Sequence, residues 1–261
     1  MTTGQDLNVA ATRVGTHALG PGRRSVVWVQ GCPFRCAGCL APEWIPNRPA
    51  RRLDPSELAG ELLADPGVTG LTLSGGEPMA QAAGLAALVR AARARRDLSV
   101  ICFTGYRLER LRARPPAPGV TELIGLLDVL IDGQYVARLD DGKGLRGSAN
   151  QRVHHLTPRL AGCGYDFTGG PRTAEIAVDG PAALLVGVPP PGLLAAFESA
   201  VEEVRSRPVL PGTDDATPPA PPGADHGRAP HGPPTNGQPA NGQPSSLQPS
   251  SGQPSSGQPT R

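Results

Sequence analysis

Four short apolar runs, each ending in a glycine-bearing turn, constrain this chain more than any other feature. Ser25 to Gln30 is rich in β-branched and aromatic residues and reads as a buried strand. It runs straight into Gly31 and Cys32. Thr69 to Leu73 ends in Ser74-Gly75-Gly76, Leu98 to Phe103 in Thr104-Gly105-Tyr106, and Val129 to Ile131 in Asp132-Gly133. Helical stretches lie between them. Asp54-Pro55-Ser56-Glu57 is a helix start, with Asp as cap, Pro in the first turn and Glu three residues after the cap. That helix is predicted to run to about Ala64, and Ala82–Arg95 and 120–126 are helical as well. Strands alternating with helices predict βαβ units and an α/β fold with a mostly parallel sheet, open or barrel-like. Sites in such folds collect at the carboxyl ends of the strands, so the four turns are expected to face one cavity.

The later chain changes character. Ala174–Val178 and Ala183–Val188 flank Asp179-Gly180-Pro181 and read as a hairpin. Leu193 to Arg205 reads as a last helix after Pro189–Pro191. From Arg207 onward the chain is Pro, Gly, Ser, Gln and Asn, with a five-residue Gln-Pro repeat and no aromatic residue after Phe197. Such a stretch buries too little apolar surface to offset its ordering entropy. Residues 1–206 are therefore expected to form one domain, with 158–206 an extension packed on it, and 207–261 a disordered tail.

Net charge is +2, with no whole-chain bias toward nucleic acid or membrane. Arg90, Arg93, Arg95 and Arg96 read as a solvated helix face rather than a nucleic-acid patch, because no aromatic residues are interleaved. Neither a signal peptide nor an apolar run near the roughly 20 residues of a membrane span is visible. A cytoplasmic location is expected, and five cysteines there argue for metal binding or catalysis.

Cys32, Cys36 and Cys39 place three thiols in one loop. Thiolates are the usual ligands of iron–sulfur clusters, and four of them close a four-iron cube. Three would leave one iron open, which is where a substrate binds. A structural zinc site is the alternative, but it pairs its ligands at two separated places. A plain ferredoxin site prefers a tighter run with a further Cys. Cys102 lies mid-strand and reads as a small buried hydrophobe; Cys163 is assigned no role.

These residues resemble the radical S-adenosylmethionine superfamily. Its Cys-x3-Cys-x2-Cys loop is matched by Cys32, Cys36 and Cys39, and its second motif by Gly75-Gly76-Glu77-Pro78. The resemblance implies a 4Fe-4S cluster on the three cysteines, with Gly75, Gly76, Glu77 and Pro78 holding the methionine amino group of S-adenosylmethionine. Two glycines permit close backbone approach, and Glu77 can accept from an ammonium. Gly20-Pro21-Gly22, Gly38, Thr104-Gly105-Tyr106, Val129–Gly133 and Arg146-Gly147-Ser148-Ala149-Asn150-Gln151 narrow the likeness to the anaerobic ribonucleotide reductase activating proteins, relatives of the pyruvate formate-lyase activating enzyme. The likeness covers about residues 6–157, and Arg152 interrupts it. It implies a partial (βα) barrel, reductive cleavage of the cofactor, a glycyl-radical enzyme as protein substrate, and a flavodoxin- or ferredoxin-like electron donor. No catalytic side chain beyond the cluster is implied.

Other residues carry two readings each. Asp132 is a carboxylate beside the cavity or a turn residue before Gly133. Asn150 and Gln151 bond the cofactor or cap a loop, and Tyr106 meets the adenine region or packs at a strand end. Adjacent His154 and His155 point to different faces of a strand, so a joint metal site is not expected and a surface or partner-facing role is favoured. Pro33, Phe34 and Arg35 would shield a cluster. Two other functions compete with the activase: radical modification of a small molecule or peptide, as in relatives of 7-carboxy-7-deazaguanine synthase, and a non-catalytic iron–sulfur or zinc module.

Overall fold

Residues 6–179 and 182–206 are described by the computed structural model. The hairpin turn at 180–181 and the stretch 207–261, expected to be a disordered tail, lie outside the described residues. Seven strands form one sheet in the order β3-β1-β2-β4-β5-β6-β7. They are β1 (Leu7–Thr16), β2 (Arg24–Val29), β3 (Arg51–Leu53), β4 (Gly70–Gly75), β5 (Ser99–Thr104), β6 (Val129–Asp132) and β7 (Arg152–His155). The central run β2-β4-β5-β6 is parallel, whereas β1, β3 and β7 pair antiparallel. The cysteine loop therefore follows the second strand of the chain and the first of the parallel set.

Period-two alternation sends each central strand's side chains to two cores. Val27 and Val29 of β2 face the helices, while Val26 and Trp28 face the other side. Helices α1 (Pro55–Leu62), α2 (Ala82–Arg93), α3 (Leu108–Ala113) and α4 (Val120–Gly125) supply the first core. Asp54 starts α1 by accepting from the amides of Ser56 and Glu57. Cys102 is wholly buried in that helix-side core. The opposite core is closed by Leu145, Leu160 and Phe167, and by Val186 and Val188. The last two belong to, or follow, a separate two-stranded sheet of β8 (Ala174–Asp179) and β9 (Ala182–Gly187). Helix α5 (Leu193–Ser206) follows.

The arginines of α2 are committed to the protein. Arg93 pairs with Asp128 at 2.9 Å, Arg90 with Glu122, and Arg96 donates to the carbonyls of Leu63, Asp65 and Val68. Arg24 is fully buried at the amino end of β2. It donates to Thr72 Oγ1, Ser99 Oγ and the carbonyls of Pro21, Leu71 and Ser99. Burial lowers its pKa to about 10. No helix among the described residues is long and apolar enough to cross a membrane.

Candidate active site

Parallel register brings the strand ends together. Val29 stands opposite Gly75, Leu73 opposite Cys102, and Thr104 opposite Asp132. The turns after β2, β4, β5 and β6 border one cavity of about 410 Å³. Cys32, Cys36, Cys39, Gly75, Gly76, Glu77 and Pro78 all line it, and so does Gln151. Tyr106, Asp132 and Asn150 do not.

The cysteine loop is held by its own backbone and by the chain that follows. Gly31 N donates to Trp44 O at 2.9 Å, Cys32 N to Ile45 O at 3.0 Å, and Cys39 N to Cys36 O at 3.2 Å. Gly38 has φ +71°, a conformation L side chains rarely adopt. The three thiols are half-buried. Burial, followed by the nearby Glu77, Cys36 and Cys39, pushes the Cys32 thiol up to about 11. Burial and Cys39 raise Cys36 as well. Cys32 and Cys36 therefore resist ionisation, and a bound cation reverses that balance. Among the described residues no three of His, Cys, Asp and Glu gather about a point suited to a single metal ion. Cys102 is buried on the helix side and Cys163 Sγ lies 3.1 Å from Leu160 O, so neither joins the loop. The donor set is three thiols on one loop, which fits a cluster with one open iron.

Gly75 and Gly76 answer first to the protein itself. A Cβ on Gly75 would lie 2.4 Å from Val29 N, and one on Gly76 would lie 2.2 Å from Gly31 O. The glycines let the end of β4 cross the start of the cysteine loop, where Gly76 N donates to Val29 O and Glu77 N to Gly31 O. Glu77 is 1% exposed. Its Oε1 accepts from Met79 N and Thr104 Oγ1, and its Oε2 from Gly105 N. Burial raises its pKa to about 7 against those three hydrogen bonds. Gly105 is small for Phe34, whose ring would sit 2.5 Å from a Cβ there. Phe34 lines the cavity and packs edge-on against Tyr106 at 4.7 Å, so Tyr106 backs the loop from behind.

Asp132 belongs to an ion network. It is fully buried and bonded to Arg107 at 3.1 Å, Arg152 at 2.7 Å and the Leu108 amide at 2.7 Å. His154 Nε2 lies 3.0 Å from its Oδ2. Burial opposes its ionisation, but hydrogen bonds from Arg152 and Leu108, with His154 close by, outweigh that and lower its pKa to about 2. Arg152, the departure from the resemblance, is thus a structural partner, paired also with Glu109 at 2.7 Å. His154 faces Asp132, and of the two only His155 is exposed, its ring edge-on to Phe167. Asn150 Nδ2 donates to Gln134 O, and Gln151 Nε2 to Gly133 O. Both amides fasten 147–151 to the turn after β6.

Sequence reasoning missed Thr104 as a clamp on Glu77, and the far wall of the cavity. Ala183, Leu184, Leu185, Val188, Leu194, Phe197 and Glu198 supply that wall. Arg172 anchors it by pairing with Asp140 at 2.8 Å and donating to the carbonyls of Gly147 and Pro189. An arginine directly after Gly169-Gly170-Pro171 was the available signal.

Residues 18–154 match the sequence model of the 4Fe-4S single cluster domain family. The anaerobic ribonucleoside-triphosphate reductase-activating protein of Salmonella typhi is 35% identical over 153 residues, covering 52% of this chain and 91% of the relative. The protein of that name from Escherichia coli (strain K12) is 34% identical over 148 residues, with the same coverage. The pyruvate formate-lyase-activating enzyme of Staphylococcus epidermidis is 38% identical over 68 residues, 24% of this chain and 27% of that enzyme.

Proposed function

The chain belongs to the 4Fe-4S single cluster domain family, and from that premise we propose that it cleaves S-adenosylmethionine reductively to install a glycyl radical on a partner enzyme. The observation that carries this reading is that three loop thiols and Gly75–Pro78 line one cavity, while Cys102 and Cys163 do not line it. When bound, the cluster would supply a single electron for the reductive cleavage of S-adenosylmethionine to methionine and a 5′-deoxyadenosyl radical, which would take a hydrogen atom from a glycine of the partner.

The chain's own residues do the rest. Cys32, Cys36 and Cys39 would hold three irons and leave the fourth for the amino and carboxylate groups of the cofactor. Glu77 is held by three donors from the protein. A carboxylate offers about four acceptor positions, which leaves one for an ammonium. Phe34 and Trp44 line the cavity with the three thiols and would limit water around a cluster there. The parallel run β2-β4-β5-β6 would serve this chemistry as a partial (βα) barrel. The partner would be of the anaerobic ribonucleotide reductase or formate-lyase type, the names its relatives carry. A flavodoxin- or ferredoxin-like donor in the cytoplasm would supply the electron.

The test uses full-length protein reconstituted without oxygen, with dithionite and S-adenosylmethionine, and quantifies 5′-deoxyadenosine. Wild type is expected to form it and Cys36→Ala to form none. An iron-loaded wild type that forms none, even with a candidate glycyl-radical enzyme present, would sink the proposal. So would zinc in place of iron with no cluster after reconstitution.

A further inference from the structure

Ala183, Leu184 and Leu185 follow one another along β9, and all three border the cavity. Successive side chains of a strand point to opposite faces. Three in a row at one cavity therefore bring the strand's backbone edge to it. That edge is unpaired among the described residues, because β9 is bonded to β8 alone. Phe197 and Glu198 of α5 stand beside it. All of this lies beyond residue 154, where the family match ends.

The cavity also has a sign. Glu43, Glu77 and Glu198 line it, and among the described residues no Arg, Lys or His does. Arg172 is not among the lining residues, and its Nη1 and Nη2 are committed to Asp140 and backbone carbonyls. A phosphate or carboxylate entering on the β9 side meets carboxylates and, among the described residues, no side-chain cation, an uncompensated repulsion. A neutral or basic group meets no such barrier.

From these two observations we infer that β9 takes an extended, neutral or basic segment of a partner polypeptide as a third strand. The segment is carried past the cysteine loop, and anionic small molecules are not substrates of this site. Strand addition draws affinity from main-chain hydrogen bonds and specificity from alternate side chains. The inference rests on the radical reading above only for the identity of the target residue, a glycine within that segment.

The chain's two tryptophans, Trp28 and Trp44, both line the cavity with ring centroids 5.6 Å apart, so their emission reports its occupancy without turnover. The reconstituted full chain would be titrated by calorimetry, with emission followed in parallel. The probes are a blocked heptapeptide with a central glycine and arginine at each end, the same peptide ended by glutamates, the arginine peptide N-methylated at alternate residues, and adenosine monophosphate. The arginine peptide is expected to bind about tenfold or more tightly than the glutamate peptide or the nucleotide. N-methylation is expected to cost about tenfold, the worth of one main-chain hydrogen bond or more. Glu198→Arg is expected to shift the preference toward the glutamate peptide.

Equal binding of the N-methylated peptide, a wild-type preference for either anionic probe, no saturable binding, or binding without a change in emission would each overturn the inference. So would a dimer in light scattering that the peptide does not dissociate, since β9 would then pair with a second copy. 5′-Deoxyadenosine formation by the wild type keeps the two ideas separate. Product without peptide preference removes the β9 inference alone, and peptide preference without product removes the radical reading alone.

Discussion

Glu77 accepts a hydrogen bond from the Thr104 hydroxyl at 2.8 Å, which joins the turn after β4 to the end of β5 at the floor of the cavity. The acid is buried, and burial raises its pKa from 4.5 to about 7. Between those values the folded chain holds a proton that the unfolded chain has released. Stability contributed by this group is therefore present below about pH 4.5 and lost as pH rises through about 7. Denaturant midpoints of the wild type are expected to fall across that window by more than those of Glu77→Gln. Parallel curves for the two proteins would refute the assignment.

Gly105 and Phe34 form a second fitted pair. In Gly105→Ala the new Cβ overlaps the ring, and overpacking of this kind costs about 1–3 kcal/mol. Because Phe34 lies between Cys32 and Cys36, the strain reaches the thiols. Iron and sulfide per chain after reconstitution are expected to drop in Gly105→Ala and to recover in part in Phe34→Ala/Gly105→Ala. A double variant no better than the single one would place the damage elsewhere.

Arg152 matters through Asp132. Arg152→Ala removes a forked pair from a buried carboxylate that keeps Arg107 and the Leu108 amide. The expected loss is about 1–2 kcal/mol, discounted for the solvent around the arginine. Glu109→Ala should change little, because that carboxylate is exposed. Urea unfolding of the two variants checks this, and a Glu109→Ala as damaging as Arg152→Ala would contradict it.

Arg24 is buried without an acid bonded to it, and its partners are hydroxyls and carbonyls of β4, β5 and the turn before β2. Arg24→Met fills the space but leaves those groups unsatisfied. About 3 kcal/mol or more of stability should be lost, since several buried polar groups lose their donor together. Thermal unfolding under one set of conditions measures it, and a midpoint unchanged from wild type would show that water replaces the guanidinium.

Much of the site was written in short stretches of chain. The cap at Asp54, the four apolar runs and the three cysteines depend on neighbours a few residues away. Capping, strand periodicity and thiol chemistry act at that range. The shared cavity followed from them because parallel strands present their carboxyl ends on one side. What local patterns did not carry was each residue's distant partner. Gly75 and Gly76 are glycines because the backbone of Val29 and Gly31 crosses them. Asp132 is an ion-network centre because Arg107, Arg152 and His154 arrive from other elements. The antiparallel edges β1, β3 and β7, and the wall of β9 and α5 over the cavity, were decided by long-range pairing and burial. Sequence alone determined which groups this protein can offer a cluster. Only tertiary structure decided which of them meet, because a hydrogen bond or a buried contact between residues tens of positions apart exists only once the chain has folded.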